Sequence, residues 1–183
     1  MKLMIASDIH GSARFCAEML EAFRREEAER LILLGDLLYH GPRNDLPDGY
    51  APKRVIDMLN AHAMDILCVR GNCDTEVDQM VLHFPIMADY ALIMADNLRI
   101  YATHGHVYHP GNLPPLQKGD ILLSGHTHVP AWERTESITA LNPGSVSIPK
   151  EGSAHSYMTL ENDRFLWKTL QGEIFHEIPC LAG

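Results

Sequence analysis

The rhythm of apolar positions changes halfway along this chain. Near the start, "KLMIAS" is a short continuous apolar run and reads as a buried strand. Phe15, Cys16, Met19, Leu20 and Phe23 then recur at helical spacing. Ser12 stands where a capping residue belongs, and the charged "RREEAER" forms the solvated end. "RLILLGD" reads as a second strand. "KRVIDMLNAH" returns to the helical pattern through Val55, Ile56 and Leu59, and "DILCVRGN" is a third strand. Alternating strand and helix predicts parallel strands covered by helices.

The second half loses its helices. "YALIMADNLRIYATHG" predicts two strands joined by a turn at "ADN", and "DILLSGH" predicts another strand. "AWERTESITALNPG" and "SYMTLENDRFLWKTL" read as hairpins, and "GEIFHEIP" as a last strand. Trp132 and Trp167 fall in these strands as packing residues, and Met58, Met64, Met80, Met87 and Met94 fit core or surface positions. Two loops, Gly41 to Pro52 and Gly105 to Gly119, are long for a compact unit, and such loops border sites.

The strand ends carry the chemistry. "IASDIHG" ends in Asp8 and His10, and "LILLGD" in Asp36. "LCVRGNCD" ends in Asn72, Cys73 and Asp74, "IYATHGH" in His104 and His106, and "LLSGHTH" in His126 and His128. Open α/β sheets bind ligands at the carboxyl ends of their strands, so these ends converge on one crevice. Carboxylate oxygens and imidazole nitrogens suit divalent transition metals. Seven such groups exceed one tetrahedral ion and suit two ions sharing a carboxylate, the arrangement that clamps an in-line displacement at phosphorus. A Walker loop and a "GxSxG" elbow are both absent from the sequence.

Bulk properties narrow the classes. At 183 residues, 46% hydrophobic and 21% charged, the chain fits one ordinary globular domain. Its formal net charge of -9 leaves no basic footprint for an extended nucleic-acid surface or an anionic membrane. The start, "MKLMIASDIHG", has no long apolar region like that of a signal peptide, and no run reaches the length of a membrane span. Cys16, Cys68, Cys73 and Cys180 form no CxxC pair and read as reduced thiols of a cytoplasmic protein.

The ordered set "DxH…GD…GN…HGH…GHTH" resembles the calcineurin-like metallophosphoesterase superfamily. "GHGPRN"-type loop residues ("YHGPRN" here), "RGNCD", "EVDQM", "GHTHVP" and "LNPGSVSIPK" resemble its small bacterial YfcE-type phosphodiesterase branch, with the likeness fading after Lys150. The resemblance implies a single metallophosphoesterase domain over 1–183. Its fold would be a four-layer αββα sandwich of two mixed β-sheets flanked by helices, α/β first and α+β in the second half. It implies a metal-dependent phosphodiesterase, with a phosphomonoesterase as the alternative reaction. The non-catalytic alternative is an interaction scaffold, because a retromer-type subunit uses the same fold.

The resemblance also implies roles. Asp8, His10 and His128 would hold one metal, Asn72, His104 and His126 the other, and Asp36 would bridge them. A hydroxide bridging the two ions would attack phosphorus. Mn2+ is the foremost candidate, with Ni2+, Fe2+, Co2+ and Zn2+ as alternatives. Asn72 would also meet a phosphate oxygen through its amide NH2. Many members of the family carry His after the "GN", where it is held to protonate the leaving group. This chain has Cys73 there, as the YfcE-type branch does, and a thiol is a poorer donor to an alkoxide. His40, His83, His106 and His109 are candidates to help, His106 foremost. Asp74 fits the cap of a following helix. Arg43 suits a bidentate phosphate contact, the loop holding Asn142 and Ser145 would wall the pocket, and the substrate would be a small phosphate ester. The C-terminal hairpins are the elements through which a homo-oligomer would form.

Overall fold

Along β1 (Leu3–Ala6) the side chains alternate between two apolar environments. Met4 and Ala6 pack with Phe15, Met19 and Phe23 of α1 (Ala13–Glu26) and with Val55 and Leu59 of α2 (Pro52–Asn60). Leu3 and Ile5 face Ile100, Leu123 and Leu141 of a second sheet. A strand covered on both faces reads as a continuous apolar run, which is why "KLMIAS" shows no polar alternation. The computed structural model describes residues 1–180.

The first sheet has six strands in the order β11-β10-β9-β1-β2-β3. Here β2 is Arg30–Leu33, β3 Ile66–Cys68, β9 Ser156–Glu161, β10 Arg164–Thr169 and β11 Ile174–Pro179. β1 pairs in parallel with β2, Ile5 opposite Ile32, and β2 in parallel with β3. β9 joins β1 antiparallel, with Ile5 opposite Met158. The second sheet runs β4-β5-β6-β8-β7. Its strands are β4 (Tyr90–Ala95), β5 (Leu98–Thr103), β6 (Ile121–Leu123), β7 (Pro130–Arg134) and β8 (Thr139–Pro143). Its central pairs β5–β6 and β6–β8 are parallel, and its outer pairs are hairpins. Trp167 of β10 ties the two sheets together, donating its indole N–H to the Asn142 carbonyl of β8 at 2.7 Å.

α1 and α2 both lie on the six-stranded sheet. α1 starts where Ser12 accepts the Phe15 N–H at 3.2 Å, and ends at Glu27 in the left-handed conformation, with Arg24 and Arg25 in its last turn. α2 begins with Pro52, whose missing N–H costs nothing in the first turn. The outer face of the five-stranded sheet carries a loop instead, with Tyr108 and Leu116 covering Tyr101, Leu122 and Ile138. Trp167 is fully buried, whereas Trp132 is partly exposed and stacks on His176 at 3.6 Å. Among the described residues no helix is long and apolar enough to cross a membrane.

Candidate metal centre

The parallel strands β1, β2, β3, β5 and β6 all end at one edge of the sandwich, and each hands the chain to a candidate side chain within a few residues. The backbone there is unusual. Asp8, His10, Asp36, His126 and His128 all have φ between 47° and 66°, the left-handed region that residues with a Cβ rarely enter. Specific contacts hold it. The Asp8 and His10 amides donate to the Gly35 and Asp36 carbonyls at 3.1 and 2.9 Å. The hydroxyls of Ser145 and Ser147 donate to the Asp8 carbonyl at 2.9 and 3.1 Å, and the His126 amide donates to Asp8 Oδ2 at 3.0 Å.

Three imidazoles are oriented the same way. Each points Nδ1 at a backbone carbonyl: His10 at Tyr39 (2.7 Å), His104 at Leu34 (2.6 Å) and His128 at Ile148 (2.7 Å). A carbonyl only accepts, so Nδ1 carries the proton and Nε2 of the neutral ring presents a lone pair. Those lone pairs converge. His10 Nε2 and His128 Nε2 stand 3.1 Å apart, and His104 Nε2 lies 3.0 Å from Asn72 Oδ1 and 3.2 Å from His126 Nδ1. His10 Nε2 and His128 Nε2, like His104 Nε2 and Asn72 Oδ1, can only accept and do not hydrogen-bond to one another; a cation between them makes such an approach favourable.

The carboxylates complete the pattern. Asp8 Oδ1 is buried without a hydrogen-bond donor, 3.6 Å from His10 Nε2 and 3.3 Å from His128 Nε2. Asp36 Oδ1 accepts the Cys73 amide at 2.8 Å. Its Oδ2 is left between the two halves, 3.6 Å from His10 Nε2 and 3.5 Å from His104 Nε2. Donor atoms of Asp8, His10 and His128 lie within 4.8 Å of one another, as do those of Asp8, Asp36 and His104 and those of His10, Asp36 and Cys73. The residues present therefore fit divalent metal ions.

Electrostatics agree. Burial alone would raise the Asp8 carboxyl, but its contacts with His10 and His128 outweigh it and hold it well below the ordinary range. Burial would lower His10, yet the neighbouring Asp8 raises it on balance. His126 and His106 are lowered, first by burial and then by the charge of His104.

A cleft of about 410 Å³ opens over these groups, lined by His10, Asp36, Cys73, His126 and His128 together with Arg43 and Lys150. Asn72 faces solvent beside it, with its amide NH2 donating to Cys73 Sγ at 3.3 Å. Burial and the charges of Asp36 and Asp74 push the Cys73 thiol up to about 12. His106 is exposed, its ring 5.4 Å from that of His104 and 6.2 Å from that of His126. His40 is wedged between Tyr39 and Tyr50. His83 lies by α2, where its amide donates to Asn60, and His109 bridges to Asn112. Neither lines the cleft. Asn142 donates to the Gly125 carbonyl at 2.8 Å and braces the "GHTH" turn.

Asp74 does not cap the next helix. Thr75 caps α3 (Glu76–Gln79) and forms a reciprocal capping box with Asp78. Asp74 instead is buried and accepts the backbone N–H groups of Asp36, Leu37 and Gly71. Burial raises its carboxyl, the Leu37 amide lowers it and the charge of Asp36 raises it again, leaving it above the ordinary value. Gly125 is needed for close approach: a Cβ there would collide with Ser7 Oγ and sit 2.8 Å from Asp8 Oδ2. Sequence reasoning passed over Ser147 and Lys150, although both belong to the loop it marked as a wall.

A two-sheet sandwich with such a donor set at its strand ends is the build of hydrolases that work with divalent metals. The calcineurin-like phosphoesterase superfamily domain matches residues 1–164, and the chain belongs to that family. Phosphodiesterase YfcE of Escherichia coli K12 is 53% identical over 163 residues, 89% of either chain. A solved structure of Yfce, described as a phosphoesterase from E. coli, superposes with a TM-score of 0.96 at 48% identity, covering 99% of this chain and 100% of that one. Vacuolar Protein Sorting 29 from Cryptosporidium parvum superposes with a TM-score of 0.65 at 17% identity over 97% of both chains, a likeness of fold alone.

Proposed function

We propose that this chain is a two-metal phosphodiesterase, hydrolysing a small phosphate diester in the cleft above Asp36. The observation that carries this reading is the 3.1 Å approach of His10 Nε2 to His128 Nε2 with both Nδ1 protons committed to carbonyls. Asp8, His10 and His128 would hold one ion and Asn72, His104 and His126 the other, with Asp36, set between the two groups, shared by both. Mn2+ is the proposed occupant, and an imidazole, carboxylate and amide-oxygen set accommodates Ni2+, Fe2+, Co2+ and Zn2+ as well. When bound, such ions acidify water and neutralise charge growing on phosphoryl oxygens.

The chain's own groups do the rest. Tyr39, Leu34 and Ile148 fix the rings through their carbonyls, a constraint that raises ligand basicity and sets orientation. Asn72, exposed beside the cleft, holds one amide N–H on Cys73 Sγ and has another that can donate to a phosphoryl oxygen. Arg43 stands exposed on the cleft wall, where its guanidinium can meet an anionic group of the substrate. Cys73 is neutral at physiological pH and its thiol is a weak acid. The reaction therefore suits esters whose alcohol leaves readily, since His106, the nearest other candidate donor, is lowered by burial and by His104 and so is less often protonated. Four free thiols, all buried, are consistent with the cytoplasm.

The test is direct. Chelator-stripped protein is given Mn2+, and p-nitrophenol release from bis-p-nitrophenyl phosphate is compared with release from the monoester, beside a His126→Ala control. Metal-dependent diester turnover that the control lacks is the expected result. Turnover of the monoester alone would change the substrate class.

A further inference from the structure

We propose that the cleft carries a second anion subsite formed by Arg43 and Lys150, and that the substrate is a phosphodiester bearing another phosphate or comparable anionic group. This rests on the phosphodiesterase reading and names its substrate class. The chain has 24 acidic and 15 basic residues, so a randomly chosen patch of its surface is acidic. The cleft wall is not. Asp36 is its one carboxylate, buried at the floor among the imidazoles, whereas its two cations, Arg43 and Lys150, are both exposed. Neither cation makes an ion pair among the described residues.

The backbone that carries each of them is held from below. The Lys150 amide donates to the carbonyl of His128 at 3.2 Å, and its own carbonyl accepts from the Ser153 amide at 3.0 Å and the Ser153 hydroxyl at 2.6 Å. The backbone of Lys150 is thus fastened to one candidate metal ligand. Arg43 sits in a turn closed by the Asn44 amide on Gly41 and by the Asn44 side chain on the His40 carbonyl at 2.8 Å. At about 410 Å³ the cleft falls in the range of pockets that take whole small molecules, larger than a phosphoryl group needs. The metal ions and Asn72 already meet the charge of the reacting phosphate. The two cations on the wall then have no partner in the reacting group, and an additional anion of the substrate supplies one.

The experiment uses the Mn2+-loaded protein and two pairs of probes. Calorimetry compares thymidine 3',5'-bisphosphate with thymidine 5'-phosphate. Kinetics compares the p-nitrophenyl ester of thymidine 5'-phosphate with and without a 3'-phosphate. The bisphosphate should bind roughly 10-fold or more tightly than the monophosphate, and kcat/KM should favour the 3'-phosphorylated ester by a similar factor. Both ratios should fall to within about threefold of unity in Arg43→Gln/Lys150→Gln. Metal content by mass spectrometry reports whether the variant keeps its centre. Ratios near unity in the unaltered protein, or ratios untouched by the double substitution, overturn the subsite while leaving the phosphodiesterase reading intact. Absence of turnover with every diester overturns that reading first and this inference with it.

Discussion

The carboxylate of Asp74 grips the backbone of Asp36: its Oδ2 accepts the Asp36 amide at 2.8 Å and the Gly71 amide at 2.8 Å, and its Oδ1 accepts the Leu37 amide at 2.9 Å. One buried side chain thereby ties the turn after β2 to the turn after β3. It also helps keep Asp36 at a φ of 56°. Asp74→Asn replaces one acceptor oxygen with a donor that must face backbone N–H groups. We expect a loss of about 2–3 kcal/mol in urea unfolding and a thermal midpoint lower by roughly 5–10 °C. Bound metal should fall as well. Unchanged stability and metal content would show that the clamp is dispensable.

The centre of the site can be divided by two substitutions. Asp36→Ala removes the oxygen lying between both groups of imidazoles, so activity and bound metal should both collapse. Cys73→Ala should retain its metals and lose at most about tenfold in kcat, since a thiol near 12 is a minor proton donor. Because Cys73 Sγ also lies within 4.8 Å of donors from His10 and Asp36, metal analysis of this variant is decisive. Loss of metal on Cys73→Ala would make the thiol a ligand.

Removing the ions should be visible without any substrate. Converging lone pairs and an undonated Asp8 Oδ1 are unfavourable neighbours in the bare protein. Chelation should lower the thermal midpoint and Mn2+ should restore it. At a hundredfold excess over Kd the stabilisation is about 2.7 kcal/mol. A midpoint indifferent to chelator would count against the site as described.

Far from the cleft, Glu26 accepts from Lys168 at 2.8 Å and from Tyr157 at 2.5 Å, and pairs with Lys2 at 2.6 Å. Burial would raise its carboxyl, but Lys168, Lys2 and Tyr157 together bring it down to about 2. A depressed carboxyl stabilises the fold fully above its unfolded value of 4.5 and gives that stability up as pH falls toward 2. Urea midpoints of the metal-free protein should decline over this window. In Glu26→Gln the decline should be shallower, from a lower starting point. Parallel curves for the two proteins would exclude Glu26 as the source.

Much of this was legible beforehand, for local reasons. β1, β2 and β6 show as unbroken apolar runs because both of their faces are covered, and each run ends in Gly or a ligand-type residue. Ser12 was recognisable as a cap because capping acts over three residues. Asp74 was not legible in the same way. Its neighbours fit a cap equally well, while its real partners at positions 36 and 37 lie 38 and 37 residues away. The orienting carbonyls of Leu34, Tyr39 and Ile148 were invisible too, since any residue supplies one. The loop over Tyr101 and Leu122 replaces a flanking helix on that face, and its Pro- and Gly-rich sequence marked it only as long.

The five left-handed backbones at Asp8, His10, Asp36, His126 and His128 bear on how this chain can change over generations. Asn or Gly would adopt each of those conformations more comfortably than the residue now there. A lineage that no longer needed the chemistry could therefore grow sturdier by drifting at these very positions, His126 with its φ of 66° among the easiest. In this chain all five positions carry a carboxylate or an imidazole, the side chains a metal centre needs, at the expense of backbone comfort.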